Sequence, residues 1–248
     1  MEVFVILVTT FIATVLSAMS GGGSSVITLP VFLAIGLPFP TAMSVIKLSA
    51  IFWVAPTAFT YLKGKRIEWK FLILFSVIGL IGSFLGVQAA IVIKQRYLEI
   101  AIGALIILLV IYTYFHKGLG VREHIKEYSP MRKALAYPFA IVLGFYESIF
   151  GSGNGILFAM VTFFTRGFDF IDALGHYFAI GFLWVAFAAF LFIQKGYYDF
   201  YLAVPAVIGS VAGGVLGAKY AKYKGNKFIK IMFMIVGGVL GVKLLLGF

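Results

Sequence analysis

The chain has no cysteine. That excludes a disulfide framework, a thiol nucleophile and any Cys-ligated metal. Charge is scarce as well: Asp, Glu, Lys and Arg together make up 12% of the residues, and acidic side chains are the rarer kind, 9 against 20 basic. The three histidines, His116, His124 and His176, are scattered without zinc-type spacing. So little polar surface cannot clothe a water-soluble core when 62% of 248 residues are hydrophobic and mean hydropathy is +1.07. Lipid is the solvent that fits. The apolar runs are continuous rather than alternating over ~10 residues, which selects helices over a transmembrane β-barrel.

The net charge of +11 invites a nucleic-acid reading. The basic residues instead sit in short loops between apolar runs, the arrangement of membrane topology, so no nucleic-acid partner is expected and membrane lipid is. Met1-Glu2-Val3 lacks a basic n-region, so the first run reads as a retained helix rather than a cleaved leader.

Apolar runs fall at about 3–19, 23–36, 41–62, 70–93 and 97–115, then at about 133–150, 154–166, 171–193, 199–221 and 228–247. A shift of 131 residues lays the second set on the first without a gap. It pairs Gly22 with Gly153, Gly36 with Gly167, Phe39 with Phe170, Trp53 with Trp184, Gly82 with Gly213 and Gly86 with Gly217. The chain therefore divides into an N-terminal repeat, 1–115, a hydrophilic connector, 116–132, and a C-terminal repeat, 133–248. The connector carries Lys117, Arg122, Glu123, Lys126 and Glu127.

Charge relates the repeats. The loop after the third run holds Lys63, Lys65, Arg66 and Lys70 in the first half, and only Lys195 beside Asp199 in the second. The loop after the fourth run reverses this, with Lys94 and Arg96 against Lys219, Lys222, Lys224, Lys227 and Lys230. Equivalent loops of opposite bias belong on opposite sides of the membrane. The fold class expected is an all-α polytopic membrane protein of two inverted repeats, each of five apolar helical segments. The second segment of each repeat spans ~14 residues, about 21 Å as a helix, and either crosses a thinned region or re-enters. On this reading the connector is cytoplasmic, both termini lie outside, and the protein resides in the inner or plasma membrane.

Each repeat is broken by glycine: Ser20-Gly21-Gly22-Gly23-Ser24-Ser25 and Gly151-Ser152-Gly153-Asn154-Gly155. A break at membrane depth leaves helix N-terminal N–H groups free to meet an anion, and two inverted breaks face one central site. Gly22, Gly23, Ser24, Ser25, Gly153, Asn154 and Gly155 are the candidate binding residues; close helix packing is the alternative use of such glycines. Lys47 lies ~10 Å into the third run and needs a bound anion or a carboxylate to compensate it, unless it snorkels to the headgroups. Glu147 is the carboxylate deep in an apolar run, open to pairing with Lys47, to holding a cation or to carrying a proton. His176 is the second candidate for proton coupling. Trp53 and Trp184 read as a packed wall.

Gly21-Gly22-Gly23, Pro30, Gly36-Leu37-Pro38 and Ala42 leading into Lys47-Leu48, followed by Ile67-Glu68-Trp69 and Gly82-x-x-x-Gly86, resemble the signature of the TauE/SafE sulfite/sulfonate exporter family. Val45 and Ile46 stand where that family often has polar residues. The resemblance spans both halves and implies a multi-helix inner-membrane carrier of sulfite, sulfonates or related sulfur-containing anions. The expectation is thus a secondary transporter of a small anion by alternating access, not an enzyme, with no cofactor or metal, and with room for proton or ion coupling and for a homodimer. A carrier of a carboxylate or cation, an intramembrane enzyme and a passive channel are the rival readings.

Overall fold

A computed structural model describes residues 2–92, 95–116, 118, 120–121, 128–149 and 151–247. Among these there is no strand. The helices of the first half are α1 (Glu2–Ser20), α2 (Ser24–Ala34), α3 (Phe39–Leu62), α4 (Trp69–Val92) and α5 (Gln95–Phe115). A short α6 (Pro130–Ala134) precedes α7 (Tyr137–Ile149), α8 (Asn154–Arg166), α9 (Phe170–Gln194), α10 (Phe200–Lys224) and α11 (Asn226–Leu246). The run expected from 133 is therefore divided. Ser129 caps α6 by accepting from the Arg132 N–H, Pro130 fits its first turn, and no α6 residue is buried. The connector residues Lys117, Arg122, Glu123, Lys126 and Glu127, and Lys94, lie outside the described residues.

The helices are apolar all round, and small residues mark the faces where two helices approach most closely. On α4 the large Ile73, Val77, Ile81 and Phe84 are exposed, whereas Gly79, Gly82, Ser83 and Gly86 are buried. Lipid solvates large apolar side chains as well as protein does, so helices gain by bringing small residues together at close range. A methyl group on Gly82 or Gly86 would run into the Ile141 or Phe145 carbonyl of α7; one on Gly213 or Gly217 would strike the Phe11 or Val15 carbonyl of α1. These glycines serve packing, and they do so at equivalent positions in the two repeats.

Contacts along each pair give the helix directions. Gly209 meets Leu7 and Gly217 meets Val15, so α10 and α1 run parallel. Gly214 meets Trp53 and Lys222 reaches Lys63, so α3 runs with them. Because α1 and α3 start at the same face, α2 must return to that face between them. The same holds in the second half: α7 runs parallel to α4 (Gly82 by Ile141, Gly86 by Phe145), and α4 parallel to α9, from Glu68 at His176 to Ser76 at Trp184. Hence α8 also returns. The segments α1–α2 and α7–α8 form two hairpins. Because these follow the opposed directions of α3 and α9 while their tips touch, Gly22 by Gly153 and Gly21 by Gly155, neither hairpin crosses. Helices α3, α4, α9, α10 and α11 are long and apolar enough to do so, and α5 packs along α11. By length and apolarity alone α1 also qualifies as a span; its end at Gly21 and Gly22 instead meets the tip of the hairpin that enters from the other face.

Counterpart helices run oppositely. Leu62 near the end of α3 meets Gly175 near the start of α9, and Gly103 of α5 meets Leu244 of α11 while Val110 meets Gly237. The repeats are inverted, and the hairpins enter from opposite faces. Basic loops gather at one face: Lys65 pairs with Asp169 and Asp172, Asn226 bonds Asp169, and Lys222 donates to the Thr60 and Lys63 carbonyls at 2.7 Å. At the opposite face Arg96 donates to the Leu244 carbonyl at 2.8 Å. Cations here close the negative ends of helices.

Gly155→Ala tests the closest approach, because its methyl group would meet the Gly21 carbonyl oxygen. It should destabilise the protein by about 1–3 kcal/mol in detergent unfolding. Gly238→Ala, which meets nothing within 4 Å, should leave the midpoint unchanged or slightly higher.

Candidate functional site

The tip of the first hairpin is three glycines at φ 88°, 130° and 122°, a left-handed run that side chains oppose. The turn keeps its amides occupied where it can: Gly21 and Gly22 N–H both reach the Ser17 carbonyl at 3.0 Å, and Ser20 Oγ donates to the Leu16 carbonyl at 2.8 Å. Helix α2 then starts at Gly23 with no side-chain cap. The second tip uses Gly151 and Gly153 at φ 73° and 79°, and α8 likewise starts uncapped. The tips meet. A Cβ on Gly22 would lie 3.1 Å from the Gly153 nitrogen, and Gly155 lies against the Gly21 carbonyl.

Beside this junction is a cavity of about 30 Å³, room for a water or two. The first tip lines it with Gly22, Gly23, Ser24 and Ser25, and α1 adds Ser17. Helix α3 adds Ile46, Lys47, Ala50 and Trp53, α9 adds Tyr177 and Phe178, and the second hairpin adds Glu147 and Gly151.

Lys47 is 1% exposed and Glu147 6%. Lys47 Nζ lies 3.0 Å from Glu147 Oε1 and also donates to the Glu147 backbone carbonyl. Glu147 Oε2 accepts from Asn154 Nδ2 and from Tyr177 Oη, each at 2.8 Å. The cation expected to need a partner therefore has one, supplied across the repeat boundary. The pair has no inverted twin: the 131-residue shift puts Phe178 opposite Lys47 and Leu16 opposite Glu147. Phe178 packs edge-on to Trp53 at 5.5 Å and over Tyr61 at 6.1 Å, so the equivalent place is an aromatic wall.

The structure brings together Gly22, Gly23, Ser24, Ser25, Lys47 and Glu147. It places Gly153 and Gly155 in the contact between tips, away from the cavity lining, and uses Asn154 to hold Glu147, with a second bond to the Leu143 carbonyl at 3.0 Å. His176 stands elsewhere. Its Nε2 takes the Glu68 N–H at 3.1 Å, its Nδ1 lies 2.8 Å from the Asp172 carbonyl, and its ring packs on Phe168. It is a bonded core histidine on the basic face, where Arg166 pairs with Glu68 and stacks 3.6 Å from Phe71. In the neighbouring loop burial pulls the Lys65 pKa down, but Asp169 and Asp172 outweigh it and hold the ammonium above its ordinary range. Trp184, fully buried with its N–H on the Ser76 carbonyl, is wall rather than lining. Sequence reading missed Tyr177; the repeat register, which sets it opposite Ile46 and next to the Lys47 level, is the signal that pointed there.

The arrangement places an ammonium, three serines and the positive end of a helix dipole on one small space, with Glu147 as the carboxylate among the described lining residues. Removing one partner of such a buried pair strands the other. Lys47→Met should cost about 3–5 kcal/mol of stability. The double variant Lys47→Met/Glu147→Gln should cost clearly less than the sum of the single changes, in a double-mutant cycle read by unfolding in detergent.

The family model described as sulfite exporter TauE/SafE matches residues 6–244 of the chain. A probable membrane transporter protein, ORF9, of a Sinorhizobium species is 26% identical over 96% of this chain and 90% of its own length. One from Haemophilus influenzae is 26% identical over 94% of this chain and 91% of its own. The probable membrane transporter protein YfcA of Escherichia coli K12 is 24% identical over 90% of this chain and 82% of its own. No solved structure matches at a significant level.

Proposed function

The chain belongs to the sulfite exporter TauE/SafE family, and from that premise we propose that it is a secondary carrier of a small sulfur-containing anion, sulfite or an organosulfonate, working by alternating access. The observation that carries this reading is the convergence of the uncapped α2 N-terminus and Lys47 on one buried cavity. Both are positive, both line the same space, and the family's description names an anion. The relatives' names support transport rather than catalysis.

The anion binds between Ser24, Ser25 and Lys47. In the present state the cavity holds only a water or two, so access requires movement of the tips. The two hairpins enter from opposite faces, and each is suited to open the cavity toward its own side. Residues 1–115 and 133–248 form the two moving units, joined by the 116–132 connector. The basic face is cytoplasmic by the excess of Lys and Arg in its loops, which puts both termini outside.

Two measurements test this. Purified protein in liposomes should take up radiolabelled sulfite or a sulfonate, and Lys47→Ala should lower uptake at least about tenfold, the loss of one charge-assisted contact of about 1.5–3 kcal/mol. Uptake unchanged by Lys47→Ala would remove Lys47 from the site. For orientation, the absence of native cysteine allows single substitutions at exposed Lys195 and Lys63. Lys195→Cys should react with an impermeant maleimide on whole cells, and Lys63→Cys only after the membrane is opened.

A further inference from the structure

We propose that the carrier moves one proton with each monovalent anion, and that Glu147 carries it. The proposal rests on the transport reading and deepens it by assigning the coupling ion and its residue.

Lys47 and Glu147 together are neutral, and both are buried. An anion that binds Lys47 takes the place now held by Glu147 Oε1. If the carboxylate stayed ionised, the site would hold an unpaired buried negative charge, which low-dielectric surroundings oppose by neutralising the group. A proton neutralises the carboxylate where it stands, with no space beyond that made for the anion, whereas a metal cation entering with the anion would need further room beside a cavity of about 30 Å³.

The step balances simply. Lys47 stays an ammonium throughout and keeps its bond to the Glu147 backbone carbonyl. A proton from water adds to Oε1 as Lys47 turns to the anion. Oε2 keeps the Asn154 and Tyr177 donors, so the side chain remains in place while its charge changes. The site is neutral before and after, and release of the anion returns the proton.

Other groups near Glu147 do not offer the same service. Among the described residues the titratable side chains bonded to it are Lys47 from α3 and Tyr177 from α9, while Tyr146 on its own helix donates to the Ser152 carbonyl. Helices α1, α2 and α8 present Ser17, Ser24, Ser25 and Asn154, and α4 meets α7 through Ser83 on Ser148. A neutral phenol or hydroxyl does not accept a proton at ordinary pH. His176 is held by Glu68 and Asp172 outside the cavity lining. Leu16 stands at the repeat position equivalent to Glu147, and Glu147 is the one carboxylate among the described lining residues, so one proton follows.

The test uses methanesulfonate, whose charge stays at minus one, so any proton movement belongs to the protein. In liposomes with the membrane voltage clamped at zero, a proton gradient of one unit, acidic outside, should concentrate the sulfonate about tenfold inside. Voltage alone, without a pH gradient, should concentrate nothing. Glu147→Gln keeps hydrogen-bonding capacity but cannot carry the proton; it should lose the pH-driven accumulation while still exchanging labelled for unlabelled sulfonate, at a reduced rate. Accumulation by the unsubstituted protein that follows voltage and ignores pH would overturn the coupling and leave the transport reading standing, as would pH-driven accumulation by Glu147→Gln. Failure of the unsubstituted protein to exchange either sulfite or sulfonate would overturn the transport reading, and this proposal with it.

Discussion

A chain that reverses direction inside a bilayer exposes backbone N–H and C=O groups that hydrocarbon cannot satisfy. Everything in this molecule is arranged so that those groups never meet lipid. Each hairpin tip is covered by the other, glycine against glycine, at Gly22 on Gly153 and Gly21 on Gly155. The tips can approach so closely only because neither carries side chains. The same lack of side chains leaves the α2 N-terminus uncapped beside the junction, and the proposed anion site rests on that opening.

Symmetry builds the meeting of the tips, and the ion pair beside it departs from symmetry. The inverted repeats supply two tips, two long flanking helices and two tryptophans in register. The ion pair breaks the pattern, because Lys47 comes from one repeat, Glu147 from the other, and their counterparts are Phe178 and Leu16. A symmetric pair of cations would bind strongly from both faces and release poorly. One cation matched by one carboxylate sits near neutrality, and a solute has only to replace an existing partner rather than introduce a charge into an uncharged interior.

Much of this was legible in the sequence, for physical reasons that differ from residue to residue. The register was visible because glycines and aromatics at packing contacts tolerate few replacements: Gly82 and Gly213 meet helix backbones at equivalent points, and Gly36 and Gly167 both adopt positive φ. The inversion was visible because loop charge responds to sidedness. Lys47 announced that it needed a partner because buried charge is costly. What stayed hidden depends on direction. Whether α2 crosses or re-enters is not encoded in its 11 residues; it follows from the two hairpin tips meeting, Gly22 by Gly153. The identity of the Lys47 partner was open for the same reason, since 100 positions separate Lys47 from Glu147 and only the inverted packing brings them together. The second tip looked like a binding loop equivalent to the first, yet Gly153 and Gly155 are consumed by the tip contact and Asn154 by Glu147.

The hairpins are gripped mainly by the long helices of the opposite half, α1 by α10 and α7 by α4. Neither half therefore encloses its own reversed segment. A lone half inserted in a membrane would expose a glycine turn until it met a second copy lying upside down.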